Sequence, residues 1–199
     1  AGVSASQVEI NSGIQFYDGI TTAEIQEILI KSASDLIELE SPNYQFVAAR
    51  LLLFGVRKKL WGRIHEAPSL GNHITKCIRE GVYDPHFTSK YTDQEIDELD
   101  SYIDHDRDYL FTYAGLRQVT DKYLVQDRST GDLYETPQFM YIMIAATMFS
   151  EYPQETRLDY VKRYYDAISR HRINIPTPVM GGVRTPIRQF ASCVLVDID

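Results

Sequence analysis

Two cysteines in 199 residues, Cys77 and Cys193, are too few for a disulfide scaffold or a four-cysteine zinc site. No apolar run approaches the roughly 18 to 20 residues that a membrane helix needs. The longest, Phe139 to Phe149, is too short and carries Thr147. A glycine-rich phosphate loop, a nucleophilic serine motif, internal repeats and low-complexity segments are all missing. The opening residues, Ala1 to Glu9, do not run from basic to apolar as a signal peptide does, so a reducing cytoplasm is the expected compartment. Cations are scarce as well. Twenty Lys and Arg stand against 28 Asp and Glu, a net charge of −8, which argues against a broad nucleic-acid surface. Any nucleotide must then be held locally, by a few side chains and backbone amides.

What is present has the balance of an ordinary globular chain: 44% hydrophobic and 24% charged, enough for one domain or two small ones. The first sixty residues predict helices. Ser6 with Glu9 and Thr21 with Glu24 have capping-box spacing, where each side chain satisfies a free amide at a helix start. Ile25, Ile28, Leu29 and Leu36 then recur at helical period. Ser41 and Pro42 predict the start of a third helix running to about Lys59, which buries Ala48, Ala49, Leu52, Leu53 and Val56. Trp61 to Pro68 reads as a linker.

Beyond it, Ile74 to Arg79 predicts a helix ended by Gly81. Thr92 with Glu95 opens another, extending through about Val119. Lys122 to Tyr134, with Ser129-Thr130-Gly131 as its turn, predicts a β-hairpin. The helix after Thr136-Pro137 is apolar nearly all round and is expected to be central. Arg157 to Ser169 predicts one more. Pro176-Thr177-Pro178, Gly181-Gly182 and Thr185-Pro186 then predict extended backbone. Phe190 to Ile198 predicts a strand buried on both faces, as in a parallel sheet or barrel. The chain opens at Ala1 and closes just after that apolar run, which suggests a fragment.

Few residues invite chemistry. Cys193 stands at the start of the expected strand, behind Thr177, Thr185 and Ser192, and reads either as a thiol in a polar pocket or as a small buried hydrophobe. Cys77 reads as a core thiol. Asp104-His105-Asp106-Arg107-Asp108 has ligand chemistry but no metal spacing, so a charged helix end or an ion-paired surface is expected rather than a metal site. Lys58 and Lys59 could hold phosphate, or simply complement a helix C-terminus.

The segments "YDGITTAEI", "SPNYQFVAARLLLFGVRKKLWG", "IDHDRDYLFTYAGLRQVTDKYLVQDRSTGDLYETPQFMYI" and "TRLDYVKRYYDAISRHRINIPTPVMGGVRTPIRQFASCVL", in this order, closely resemble the large subunit of class I (Ia-type) ribonucleotide reductase. The resemblance implies a mainly α fragment in three parts. Residues 1–59 would be the helical part of an ATP-cone, with the cone's leading hairpin missing. Residues 60–172 would be the N-terminal helical domain with its β-hairpin, and 173–199 the first strand of the ten-stranded α/β barrel.

It implies that ribonucleoside diphosphates are reduced to deoxyribonucleotides by radical and dithiol chemistry. Cys193 would be catalytic, as a redox thiol. Thr177, Ser192 and Cys193 would line the substrate site, and Thr22 and Lys58 the ATP or dATP effector site. Cys77 matches no family cysteine, and Gln26 stands where many relatives have His, which argues against strong dATP inhibition. Implied partners are the rest of the large subunit, a second copy of it, a small subunit with a metal-radical centre, and thioredoxin or glutaredoxin. Neither a covalent cofactor, nor nucleic acid, nor a membrane is implied. The rival reading is a non-catalytic nucleotide-binding or interaction module derived from this family.

Overall fold

The computed structural model describes residues 2–193 together with Leu195 and Val196. It is mainly helical, and among the described residues no helix is long and apolar enough to cross a membrane. The chain forms two compact units: Ala1–Glu66 with Asp108–Asp121, and Ala67–Arg107 with Lys122–Asp199.

In the first unit, α1 (Ala5–Gly13), α2 (Thr22–Ser34) and α3 (Tyr44–Trp61) pack in sequence. The start of α1 differs from the Ser6–Glu9 expectation: Ser4 is the cap, its Oγ accepting from Gln7 N. The reason is a tether, because Ser4 N donates to the Tyr44 hydroxyl at 2.9 Å and that hydroxyl donates to Gln7 Oε1. The Thr21–Glu24 box forms in full. Helix α3 begins at Tyr44, since Ser41–Asn43 is spent in a turn that turns Tyr44 into the core. It ends at Gly62, whose φ of 70° suits glycine and closes the last turn on Lys58 O. Val8, Ala33, Tyr44 and Ala48 form a buried cluster, flanked by Leu29, Leu36, Val47, Leu51 and Tyr113. Arg57 is buried and pairs with buried Asp108 at 2.9 Å.

The second unit is built around α7 (Pro137–Met148), of which every residue from Pro137 to Ala146 is buried. Helix α8 (Gln154–Ser169) packs along it through Val161, Tyr165 and Ile168, and α5 (Asp93–Tyr102) packs on α4 (Leu70–Arg79) and on α8. A bidentate pair joins α5 to α8: Arg157 Nε and Nη2 donate to the two oxygens of Glu95 at 2.7 and 2.5 Å. The helix expected to run from Thr92 to Val119 is broken. Helix α5 stops at Tyr102, a 3-10 turn spans His105–Leu110, and α6 covers Tyr113–Lys122. The break answers to charge: Arg107 turns inward to Asp104, Asp166 and Ser169, while Asp108 turns to Arg57. The run is ion-paired, but Arg107 and Asp108 are buried rather than at a surface.

Two β expectations meet a different backbone. The Lys122–Tyr134 hairpin is reduced to one antiparallel bridge, Gln126 with Leu133, around a turn closed by Gly131 N donating to Asp127 O. The segment expected to be extended at Pro176–Gly182 contains a six-residue helix, α9 (Thr177–Gly182). Its prolines sit at the cap and in the first turn, where no amide hydrogen is needed. Of the expected strand Phe190–Ile198, Val194, Asp197 and Ile198 lie outside the described residues. The remainder is in no strand, and Leu195 is fully exposed. A strand needs a ladder partner for its amides, and the described residues of this run are in no ladder.

Candidate functional site

The two effector candidates meet in the first unit. Thr22 and Lys58 line one cavity of about 780 Å³ between α2 and α3, within the range of small-molecule sites. Its walls mix aliphatic side chains (Ile28, Ile30, Leu52, Val56) with Glu24, Glu27, Lys59 and Tyr17. Thr22 is the first residue of α2, one position inside the Thr21 cap. The first-turn amides of α2 and their share of the helix dipole therefore stand at the cavity edge. Lys58 lies exposed in the last turn of α3 and lines the same space. An anion with an apolar body suits such a mixture.

The rim is stapled by Glu24. Its carboxylate accepts from Thr21 N and Thr21 Oγ1 at 2.8 and 2.7 Å and from the Tyr17 hydroxyl at 2.8 Å. The backbone amide of Thr21 first, then the two hydroxyls, hold this carboxyl below its usual range. The hydrogen bond to Glu24 raises Tyr17 in turn. Tyr17 and Glu27 were not singled out as site residues by the sequence, and Glu24 only as a helix cap. The Thr21–Glu24 spacing marks a helix start without saying that the same carboxylate also anchors the preceding turn.

The barrel-side candidates lie in the second unit. Thr177 opens α9, and its Oγ1 is 3.2 Å from the Tyr123 hydroxyl. Ser192 Oγ is 3.7 Å from Cys193 Sγ, and both residues are exposed. Thr177 is thus paired with Tyr123, while Ser192 and Cys193 stand with each other; the described contacts do not join the three into one pocket. What is firmly held is the stretch leading to them. Arg184 is buried and forms an ion pair with buried Glu135, while its Nη1 donates to Met180 O and its Nη2 to Tyr123 O.

Glu135 also receives Val125 N and the Tyr83 hydroxyl, and that hydroxyl is 3.0 Å from His73 Nε2. Burial pushes His73 down to about 4 and the thiol of Cys77 up to about 12. Cys77 is therefore an inert core thiol, as its helix position suggested. Among the described residues no group of three or more His, Cys, Asp or Glu is placed to hold a metal ion.

Comparison with known proteins gives a consistent result. Residues 109–188 match the family described as "Ribonucleotide reductase, all-alpha domain". The chain is 55% identical over 195 residues to ribonucleoside-diphosphate reductase 1 subunit alpha of Escherichia coli, covering 98% of this chain and 26% of that protein. It is 53% identical over 197 residues to the corresponding alpha subunit of Haemophilus influenzae, covering 99% of this chain and 26% of the relative. With the alpha subunit of Enterobacteria phage T4 it shares 46% over 198 residues, covering 98% and 26%. The chain thus spans about a quarter of the length of the curated relatives it matches.

Proposed function

Since the chain belongs to the large-subunit family of class I ribonucleoside-diphosphate reductases, we propose that it works as part of such a subunit, with its α2–α3 cavity taking an adenine nucleotide. One observation carries this reading: Thr22 and Lys58, 36 positions apart, line a single cavity at a helix N-terminus. Phosphate oxygens would lie toward the first-turn amides of α2 and the Lys58 ammonium, and the base toward Ile28, Leu52 and Val56. In this proposal residues 1–59 act as the helical part of the ATP-cone, with ATP or dATP as effector. Residues 60–172 form the N-terminal helical domain, whose hairpin corresponds to the Gln126–Leu133 bridge. Residues 173–199 enter the barrel.

For the reaction, the proposal assigns Cys193 to the reducing thiol pair, with Thr177 and Ser192 at the substrate. The ribose 2′-hydroxyl leaves as water, two thiols become a disulfide, and a thioredoxin- or glutaredoxin-type dithiol restores them. A metal-radical centre in the small subunit would supply the initiating one-electron oxidation. Cys193 stands next to the hydroxyl of Ser192, 3.7 Å away, a polar neighbour suited to a substrate-side thiol. The subunit would act as a homodimer in the cytoplasm.

Titration calorimetry with ATP tests the effector half. The complete subunit is expected to bind, residues 1–199 alone weakly or not at all, and Lys58→Ala in the complete subunit at least tenfold more weakly; equal affinities there would leave Lys58 as a charged helix end only. Cys193→Ser in the complete subunit is expected to abolish turnover with a dithiol reductant while leaving thermal stability unchanged. Normal turnover would return Cys193 to a bystander role.

A further inference from the structure

Glycine is a poor residue for the interior of an 18-residue helix, so Gly55 in α3 answers a need for space. What occupies that space is Gln26 of α2. A Cβ at position 55 would lie 3.3 Å from Gln26 Cγ, 3.6 Å from its Cδ and 3.8 Å from its Nε2. The carboxamide is also tied down, with Nε2 donating to Leu51 O at 2.7 Å. A carbonyl oxygen can only accept, so the amide nitrogen must face it and the orientation of the group is settled. Leu51 O is the acceptor that helical geometry assigns to Gly55 N, so the carboxamide docks on the turn that lacks a side chain. Both residues line the α2–α3 cavity.

We propose that Gln26 and Gly55 are a positioning pair that fixes the width of this cavity, and thereby how Thr22 stands toward Lys58. The inference rests on reading the cavity as a nucleotide site, and it gives neither residue a ligand contact. The stem of Gln26 fills the notch left by Gly55, and the hydrogen bond to Leu51 O keeps it there. Even one carbon at position 55 forces the stem to yield by a few tenths of an ångström. A larger side chain must either push α2 away from α3 or turn Gln26 into the cavity. Both changes degrade a site whose two ends belong to different helices.

The test is a cycle of substitutions in the full-length subunit, read by ATP calorimetry with far-UV circular dichroism to show folding. Gly55→Leu keeps a strong helix former and is expected to weaken ATP binding at least tenfold. Gly55→Leu combined with Gln26→Ala, which removes the stem, is expected to recover at least threefold of that loss. Should Gly55→Leu not fold, Gly55→Ala replaces it, with about threefold weakening and recovery by the same partner substitution. The pair is overturned if position 55 substitutions leave ATP affinity unchanged, or if Gln26→Ala fails to compensate. If the unaltered subunit binds no ATP at all, the nucleotide reading falls and takes this role with it; that outcome is distinct from binding that ignores position 55.

Discussion

His73 makes the second unit sensitive to mild acid, in a direction fixed by where the imidazole lies. It stacks on Phe139 with ring centroids 4.1 Å apart and meets the Tyr83 hydroxyl through Nε2. Burial is the main reason its folded value falls from 6.5 to about 4. Between those two values the unfolded chain binds a proton that the folded chain refuses. Stability is therefore complete above pH 6.5 and is lost as the pH falls toward 4. A difference of about 2.5 pH units at 1.36 kcal/mol each amounts to about 3 kcal/mol. His73→Phe keeps a flat ring against Phe139 and removes the proton site. It is expected to cost about 1 kcal/mol at pH 7 through the lost hydrogen bond, and to overtake the unaltered protein a little below about pH 6. Urea unfolding followed by circular dichroism from pH 7.5 to 4 measures both. Carboxylates such as Asp166 and Asp84, held low by their arginine and amide partners, lose their contributions in both proteins and cancel in the difference. Parallel stability curves for the two proteins would refute the reasoning.

Other substitutions probe other supports. Arg157→Met strands the carboxylate of Glu95 against α8 and is expected to cost about 3 to 5 kcal/mol in chemical denaturation, mostly returned by adding Glu95→Leu. Arg184→Met leaves Glu135 buried without its cation; a similar loss is expected, along with faster proteolysis of residues 177–193. Thr21→Ala removes the α2 cap at a cost of about 1 kcal/mol and loosens the Tyr17–Glu24 rim, seen as a lower melting temperature. Mass-mapped alkylation at pH 7.5 should label Cys193 quickly and Cys77 only on unfolding, because one thiol is exposed and the other is buried with its ionisation pushed to about 12.

Helices were legible wherever the cap and the period agreed, as at Thr21–Glu24 and Thr92–Glu95, because both signals sit within four residues. The α1 cap was misplaced because Tyr44, forty positions away, decides which serine is held. The break after Tyr102 was hidden for the same reason: Arg107 and Asp108 look helical locally and are claimed by Asp166 and Arg57. Lys58 was legible as a possible phosphate holder and Thr22 only through resemblance, while the contact of Gln26 with Gly55 in the cavity wall has no local signature. The apolar run from Phe190 reads as a strand by composition, yet a strand is a property of two chain segments, and composition describes only one.

The first unit is not continuous in the chain, and this bears on how it is made. Residues 108–121 complete it, bringing Asp108 to Arg57 and Tyr113 to the cluster around Val8. During synthesis, then, the three leading helices must wait for some forty intervening residues before their last wall arrives, with the Arg57 guanidinium unpaid in the meantime. Any recombinant product stopped after Lys59 or Glu66 would remain in that waiting condition permanently. The α2–α3 cavity thus belongs to a folding unit that is completed only after the chain has left it and returned.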